Sequence, residues 1–441
     1  MNKQTRRDFI KTTGVLAASA ALSNPLKAAA GEKIKVALVG TGVRGLGMWG
    51  RDLLNDQGDK VEMVGLCDIN PLRLEVAQEF LKSAAGTDLP TYTDFDKMIE
   101  ETRPEKVIVT TVDATHHDYI VRAMELGCDA ITEKPMTTDA DKMKQILDAK
   151  ERTGKDVTVT FNYRFSPHRQ VMKEILMSGD LGDITSVDFH WYLDIYHGAD
   201  YFRRWHRLRE KSGSLWVHKA SHHFDLVNWW LEANPVSVAA YGELQKYGKA
   251  NPYRSETKTC RGCSHQETCP FYWDITQSNY YLKLYVDCES ADGYTRDGCV
   301  FREDVNIWDT MTATIKYDND VSMSYSLNAF MPYEGYRIGF NCTKGRLEHR
   351  NFERQPWTVE PQDEIVVIKN FAHREVITVP HGGGGHGGGD TRLRDMVFTP
   401  GMPDPYKQTA DHMAGAYAVL PGFAAMKSID ERRMVEISEL M

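Results

Sequence analysis

Three things are scarce in this chain, and each scarcity excludes a class of function. Long apolar runs are missing. No internal stretch holds 18 uninterrupted apolar residues, so no transmembrane helix is expected. Positive charge is in deficit, with 53 Lys and Arg against 62 Asp and Glu and a formal net charge of −9, which argues against broad binding to nucleic acid or to an anionic membrane. Internal repeats are absent as well. What remains is a 441-residue chain of ordinary globular composition, 41% apolar, long enough for two or three domains.

The most informative stretch runs from Lys33 to Asp68. An apolar, β-branched run, Ile34 to Val39, reads as a strand buried on both faces. It breaks at Gly40-Thr-Gly42-Val-Arg44-Gly45, a helical pattern follows, and a second strand, Val61 to Leu66, leads to Asp68. Strand, glycine turn, helix, strand and acid is the order that a dinucleotide site requires. Gly40 permits the tight turn, Gly42 a close backbone approach to a pyrophosphate, and Gly45 close packing of helix on strand. The phosphates are expected at the helix N-terminus, where free N–H groups and the macrodipole favour anions. Asp68 is expected on the adenosine ribose hydroxyls. A carboxylate there repels a 2′-phosphate, so NAD is favoured over NADP. Gly40 and Asp68 lie 28 positions apart, longer than the usual ~20, which fits a longer helix and the polar loop Asn55 to Lys60.

Residues 1–30 read as an export signal rather than as fold. Thr5-Arg6-Arg7-Asp8-Phe9-Ile10-Lys11 is a twin-arginine pattern, a weakly apolar run follows, and Ala28-Ala29-Ala30 offers small residues for cleavage. The pattern is similar to the signal by which bacteria export proteins already folded around a cofactor. The mature chain is expected from Gly31, in the periplasm.

Alternating strands and helices then continue to Phe161. They predict one doubly wound parallel sheet over residues 31–161. Four loops leave strand C-terminal ends there: Gly40–Gly45, Thr111–His116, Glu133-Lys134-Pro135 and Asn162-Tyr163-Arg164. All four must gather on one edge, where such sheets bind ligands. From residue 162 to 441 the pattern changes to longer alternating strands, Ile184 to Leu193, Ser237 to Gly242, Met311 to Lys316, Ser322 to Leu327 and Gly335 to Cys342, with helices over 168–177, 214–232 and about 406–427. This predicts an α+β domain with a large, mostly antiparallel open sheet. An apolar open face would call for a homo-oligomer.

With these pieces laid out, the chain resembles the Gfo/Idh/MocA family of sugar-type oxidoreductases. The residues that carry the resemblance are Gly40, Gly42 and Gly45, Asp68, the loop holding His116, the triplet Glu133-Lys134-Pro135, Asn162-Tyr163-Arg164, and Gly213 to Trp230. It implies NAD as cofactor and a sugar or sugar derivative as substrate. It also implies a lysine of the triplet beside nicotinamide and substrate hydroxyl, with an Asp and, four residues later, a His from a helix of the second domain. Here the histidine maps onto His222, and the aspartate position holds His218. Residues 218 and 222 are one helical turn apart and are expected on one face, while Lys219 and His223 project about 100° away.

Hydride transfer from a carbinol carbon needs a base for the hydroxyl proton and a fixed geometry. Lys134 is the candidate base or relay, given a pKa lowered by burial or by nearby cations. His222 is the second candidate, and His218 could orient or relay. The candidate cofactor contacts are Gly40, Gly42, Arg44, Gly45 and Asp68 from the first turn. Thr111, His116, Glu133, Lys134 and Arg164 join them from the later strand ends. Tyr163, Arg164, Lys219, His218 and His222 are candidate substrate contacts. Two histidines at i, i+4 also suit a metal, but no third ligand is evident and none is assigned.

The segment His381-Gly-Gly-Gly-Gly-His386-Gly-Gly-Gly-Asp390 reads either as a flexible linker or as a loop bringing His386 and Asp390 to the sugar site. It resembles a stretch in the NAD-dependent glycosidases of glycoside hydrolase family 109. Of the eight cysteines, Cys67, Cys128 and Cys342 read as buried thiols. Cys260, Cys263 and Cys269, with Cys288 and Cys299 downstream, sit in a polar insertion over about 247–309. Disulfides, a zinc or iron–sulfur site, and free thiols all remain open for them. Three functions follow. The first is an exported NAD-dependent oxidoreductase acting at a sugar ring hydroxyl. The second is a redox-neutral NAD-dependent glycosidase that oxidises, eliminates, hydrates and reduces. The third is a non-catalytic sugar sensor.

Overall fold

Val36, Ala37, Leu38 and Val39 are fully buried, as a strand covered on both faces requires. In this computed structural model, which describes residues 32–248, 251–254 and 256–441, they belong to β1 (Ile34–Val39). The expected export segment lies outside the described residues. Five parallel strands join β1: β2 (Val61–Cys67), β3 (Thr91–Tyr92), β4 (Lys106–Val109), β5 (Asp129–Thr132) and β6 (Val157–Val159). Their order is β3-β2-β1-β4-β5-β6, the doubly wound arrangement expected from the alternating pattern. The order reverses between β1 and β4, so the loops after these two strands open the ligand crevice.

The helices follow their local signals. Asn70 caps the helix Pro71–Ala85 by accepting from Arg73 N–H at 3.0 Å, with Pro71 in the first turn and Gly86 in the left-handed conformation at the end. The helix after the glycine turn departs from expectation. It opens as a wider i→i+5 helix over Gly45–Asp52 and tightens to α-helix only at Leu53–Gln57. Gly50 lies against Leu81, where a Cβ would meet Leu81 Cδ2 at 2.8 Å.

The second sheet has nine strands: β7 (Ile184–Asp194), β8 (Pro235–Glu243), β9 (Thr310–Tyr317), β10 (Ser322–Met331), β11 (Glu334–Cys342), β12 (Gly345–Arg354), β13 (Gln362–Lys369), β14 (His373–Pro380) and β15 (Val435–Glu436). Only β7 and β10 pair in parallel; the other pairs are antiparallel. Strands β12 to β14 are not among the strands expected from the sequence; in β12 the outward positions Arg346, Glu348 and Arg350 are charged. One hydrophobic core runs through both sheets, joining Val107 and Val159 to Phe189, Trp216 and Ala418. The two halves are also stitched by backbone, Val159 N–H donating to Ala410 O at 2.9 Å.

The open face of the second sheet is not apolar. A groove of about 920 Å³ there is lined by Asp188, His190, Arg337, Arg346, Glu348 and Arg350, among others. The expectation of a homo-oligomer rested on an apolar face, and that face is charged. Among the described residues no helix is long and apolar enough to cross a membrane.

Candidate active site

The glycine turn has the geometry that its sequence implies. Gly40 has φ +91°, and a Cβ there would lie 2.7 Å from Thr110 C. A Cβ on Gly45 would lie 2.1 Å from Gly40 O, so only glycine lets the helix approach β1 this closely. Thr110 Oγ1 donates to Gly40 O at 2.5 Å and fixes the turn. These features fit a dinucleotide pyrophosphate at the loop.

Asp68 stands at the end of β2 as expected, but its oxygens are already engaged. Oδ2 accepts from Thr41 N–H at 2.7 Å and Thr41 Oγ1 at 2.9 Å. Oδ1 accepts from Asn70 N–H at 3.0 Å and pairs with Arg73 at 3.2 Å. Asp68 thus clasps the glycine loop from the end of β2. Arg73 is held between Asp68 and Asp292. Two carboxylates thus flank the Arg73 guanidinium.

The insertion reaches this loop. Tyr285, from a short helical segment over Leu282–Val286, accepts from Val43 N–H at 3.1 Å. A Cβ on Gly42 would face the same hydroxyl at 3.4 Å. Asn70 Nδ2 donates to Cys288 O at 2.9 Å. None of these contacts carried a local sequence signal.

At the next strand ends the groups converge. Glu133 accepts from Arg44 at 2.7 Å and from Trp49 Nε1 at 2.8 Å. Arg44 makes a second, bidentate pair with Asp390 at 3.0 and 3.1 Å. Asp390 also takes Asn162 Nδ2 at 2.6 Å and His386 Nδ1 at 3.0 Å. The glycine-rich segment is thus the loop reading, not a linker. Burial alone would lower the Arg44 pKa; the two carboxylates outweigh it and raise it.

The catalytic candidates form a chain. Lys134 Nζ lies 3.3 Å from His218 Nε2, and His218 Nδ1 lies 2.5 Å from Asp113 Oδ2. Asp113 sits in the turn after β4 and was not singled out in the sequence, where an aspartate in a loop has no visible partner. With Nδ1–H directed at Asp113, Nε2 is left as an acceptor for the lysine. Burial, aided by Lys219 and Arg44, pushes the Lys134 ammonium down to about 8 against the opposing charges of Asp113 and Glu133. Burial likewise drives His218 and His222 well below the usual imidazole range, with Lys134 adding to each, so both rings are neutral near pH 7.

The helix expected over 214–232 breaks at Lys219 into Ser214–His218 and Ala220–Leu231. His218 turns to Lys134, and His222 stacks on Tyr163 with ring centroids 4.1 Å apart. His222 Nδ1 is buried without a hydrogen-bond partner. Lys219 donates to Tyr163 Oη at 2.9 Å and lies 3.8 Å from Glu334, which pairs with His197 at 2.7 Å. His223 is a core residue, bonded to Tyr325 Oη at 2.7 Å.

Three expectations need correction. Arg164 is no ligand contact: it makes a buried bidentate pair with Asp225 at 2.6 and 2.9 Å and donates to the carbonyl of Lys407. His116 spends both ring nitrogens on the carbonyls of Pro135 and Thr111, at 2.8 and 3.2 Å, so it ties two loops together rather than touching a cofactor; Thr111 Oγ1 accepts from Thr115. Tyr163 is buried in a stack with Trp191 and under Arg169, so it backs His222 and Lys219 instead of holding sugar hydroxyls.

Comparison with known proteins agrees with this architecture. A model described as the NAD-binding Rossmann fold of the oxidoreductase family matches residues 34–161, and one for its C-terminal alpha/beta domain matches residues 173–437. YteT of Bacillus subtilis (strain 168), named as an oxidoreductase, is 38% identical over 420 residues, 92% of this chain and 98% of its own. An inositol 2-dehydrogenase of Rhizobium meliloti is 27% identical over 196 residues, covering 44% of this chain and 55% of its own. The WlbA dehydrogenase of Bordetella pertussis, solved with NADH and UDP-GlcNAcA, shares the fold at TM-score 0.62 and 17% identity, over 92% of this chain and 99% of its own.

Proposed function

The chain belongs to the Gfo/Idh/MocA oxidoreductase family and is an NAD-dependent oxidoreductase, and on that premise we propose that it oxidises a ring hydroxyl of a sugar or sugar derivative outside the cytoplasm. The observation that carries this reading is the chain Asp113–His218–Lys134. Bound NAD supplies the acceptor for the hydride. Lys134, with its pKa near 8, accepts the hydroxyl proton, and His218 Nε2, held by Asp113, accepts a hydrogen bond from the resulting ammonium and keeps it in place. His222, kept neutral near pH 7 by burial, is the second group of this reading and holds a substrate hydroxyl in place. The relatives named for inositol and for a nucleotide sugar support a polyhydroxylated substrate.

Tyr285 supports a finer point. Its hydroxyl lies on the amide of Val43, inside the loop where the pyrophosphate is expected. We read Tyr285 as a cover over this loop that slows departure of a bound cofactor, which suits the proposed export. The hydride then returns either to a second sugar or to the same one. The same cover favours redox-neutral glycoside cleavage as the second reading. The test is to purify the mature protein without added nucleotide, denature it and identify what is released. About one NAD(H) per chain supports retention, and no nucleotide removes it. A screen of glycosides and free sugars then separates the readings: free sugar released without net redox change identifies the glycosidase, and oxidised product the oxidoreductase.

A further inference from the structure

The insertion over 247–309 contains little regular structure, yet its backbone converges on one point. We propose that Cys260, Cys263, Cys269 and Cys299 form a four-thiolate metal site that takes a zinc ion or an iron–sulfur cluster and braces the insertion. All four side chains line a single small internal cavity of about 10 Å³. Of the five cysteines in the insertion, Cys288 is the exception; its thiol turns to Lys283 O.

The backbone around the four has the form of a metal knuckle. Cys263 N–H donates to Cys260 O at 3.1 Å, with Gly262 at φ +71° between them. This turn sets the two thiols of a C-x-x-C pair beside each other. A second segment is laid alongside: Cys260 N–H donates to Asp297 O at 2.8 Å and Cys299 N–H to Lys258 O at 2.9 Å. Cys299 thereby joins a site whose other members lie 30 or more positions earlier.

Each sulfur also receives an N–H donor. His265 N–H points to Cys263 Sγ at 3.4 Å and Phe301 N–H to Cys299 Sγ at 3.4 Å. Phe271 N–H serves Cys269, and Arg203 Nη1 reaches Cys260 Sγ at 3.2 Å. In three of the four the donor is the residue two positions on. Neutral thiols need no such array. Thiolates bound to a cation do, because these donors spread their charge and orient them. No disulfide joins any of these cysteines in the structure. Among the described residues no three such side chains stand at single-ion spacing. The sulfurs of a polynuclear cluster stand farther apart than the ligands of a single ion, and both zinc and such clusters select soft sulfur ligands.

The test uses the full chain, purified without chelators and in the absence of air. Metal analysis with acid-labile sulfide and visible absorbance distinguishes the two occupants. About one zinc per chain, or about four irons with matching sulfide, supports the proposal. The metal must be lost from Cys263→Ser and Cys269→Ser but kept in Cys342→Ser, whose sulfur lies outside the ring. Metal-free protein overturns it, whether its thiols titrate as free or non-reducing peptide maps join them as disulfides. The readout does not depend on turnover, so it stands or falls apart from the assigned activity.

Discussion

Lys134 is the residue on which the proposed chemistry can fail most visibly. Burial and neighbouring cations bring its pKa to about 8. A base with that value is about 10% neutral at pH 7 and about 90% neutral at pH 9, whereas an unperturbed lysine is on the order of 0.03% neutral at pH 7. The neutral amine is the active form, so the rate of sugar oxidation should rise about tenfold from pH 7 to pH 9 and level off above. Single-turnover absorbance of the reduced cofactor measures this even if the cofactor never leaves. Lys134→Met should remove the rise and cost 10²–10⁴-fold in rate, the usual worth of general base catalysis. Asp113→Asn gives a second, signed test. The Asp113 charge raises the Lys134 pKa, so its removal should move the midpoint below 8, while the loosened imidazole lowers the plateau. A flat wild-type profile, or sugar turnover left intact in Lys134→Met, would refute the assignment of Lys134 as the base.

Three further outcomes are expected. Gly45→Ala places a Cβ 2.1 Å from Gly40 O; the helix must shift, with a loss of about 1–3 kcal/mol in denaturant unfolding and weakened NAD binding by calorimetry. Tyr285→Phe removes the acceptor for Val43 N–H, a bond worth about 0.5–1.5 kcal/mol, and NAD should leave about three to ten times faster in a dialysis time course. Arg164→Met strands the buried carboxylate of Asp225, which burial already pushes up to about 6 against the pull of Arg164; about 3–5 kcal/mol of stability should go, read as a lowered Tm, while kcat of the folded fraction holds because Arg164 touches no reacting group.

What the sequence showed was local. The glycine turn, the acid after β2, the Glu133-Lys134-Pro135 strand end and the alternation that makes the first sheet parallel are written in short-range spacing, and the structure reproduces them. What it hid was long-range. Arg164 looked like a ligand contact because it follows a strand end, but its partner Asp225 is an acid 61 positions later. Asp113 lay in plain view in a strand-end loop, and only the fold brings His218 to it across 105 positions. Strands β12 to β14 are not among the strands expected, and β12 carries charge on its open face. The helix over 214–232 was read as continuous, and its break at Lys219 is what turns His218 and His222 to different neighbours.

The most consequential departure from the family pattern is the histidine at position 218. An aspartate there would face Lys134 directly. The resulting ion pair would favour the charged ammonium and hold the lysine pKa high, leaving little neutral base near pH 7. A neutral imidazole imposes no such charge, and the carboxylate is moved one residue back, to Asp113, behind the ring. The lysine can then be lowered by burial while the imidazole still offers Nε2 as a hydrogen-bond acceptor. On this argument His218 is not a lost catalytic acid. It trades direct charge contact for a neutral hydrogen bond, and Asp113 is the residue that makes the trade possible by fixing which nitrogen faces Lys134.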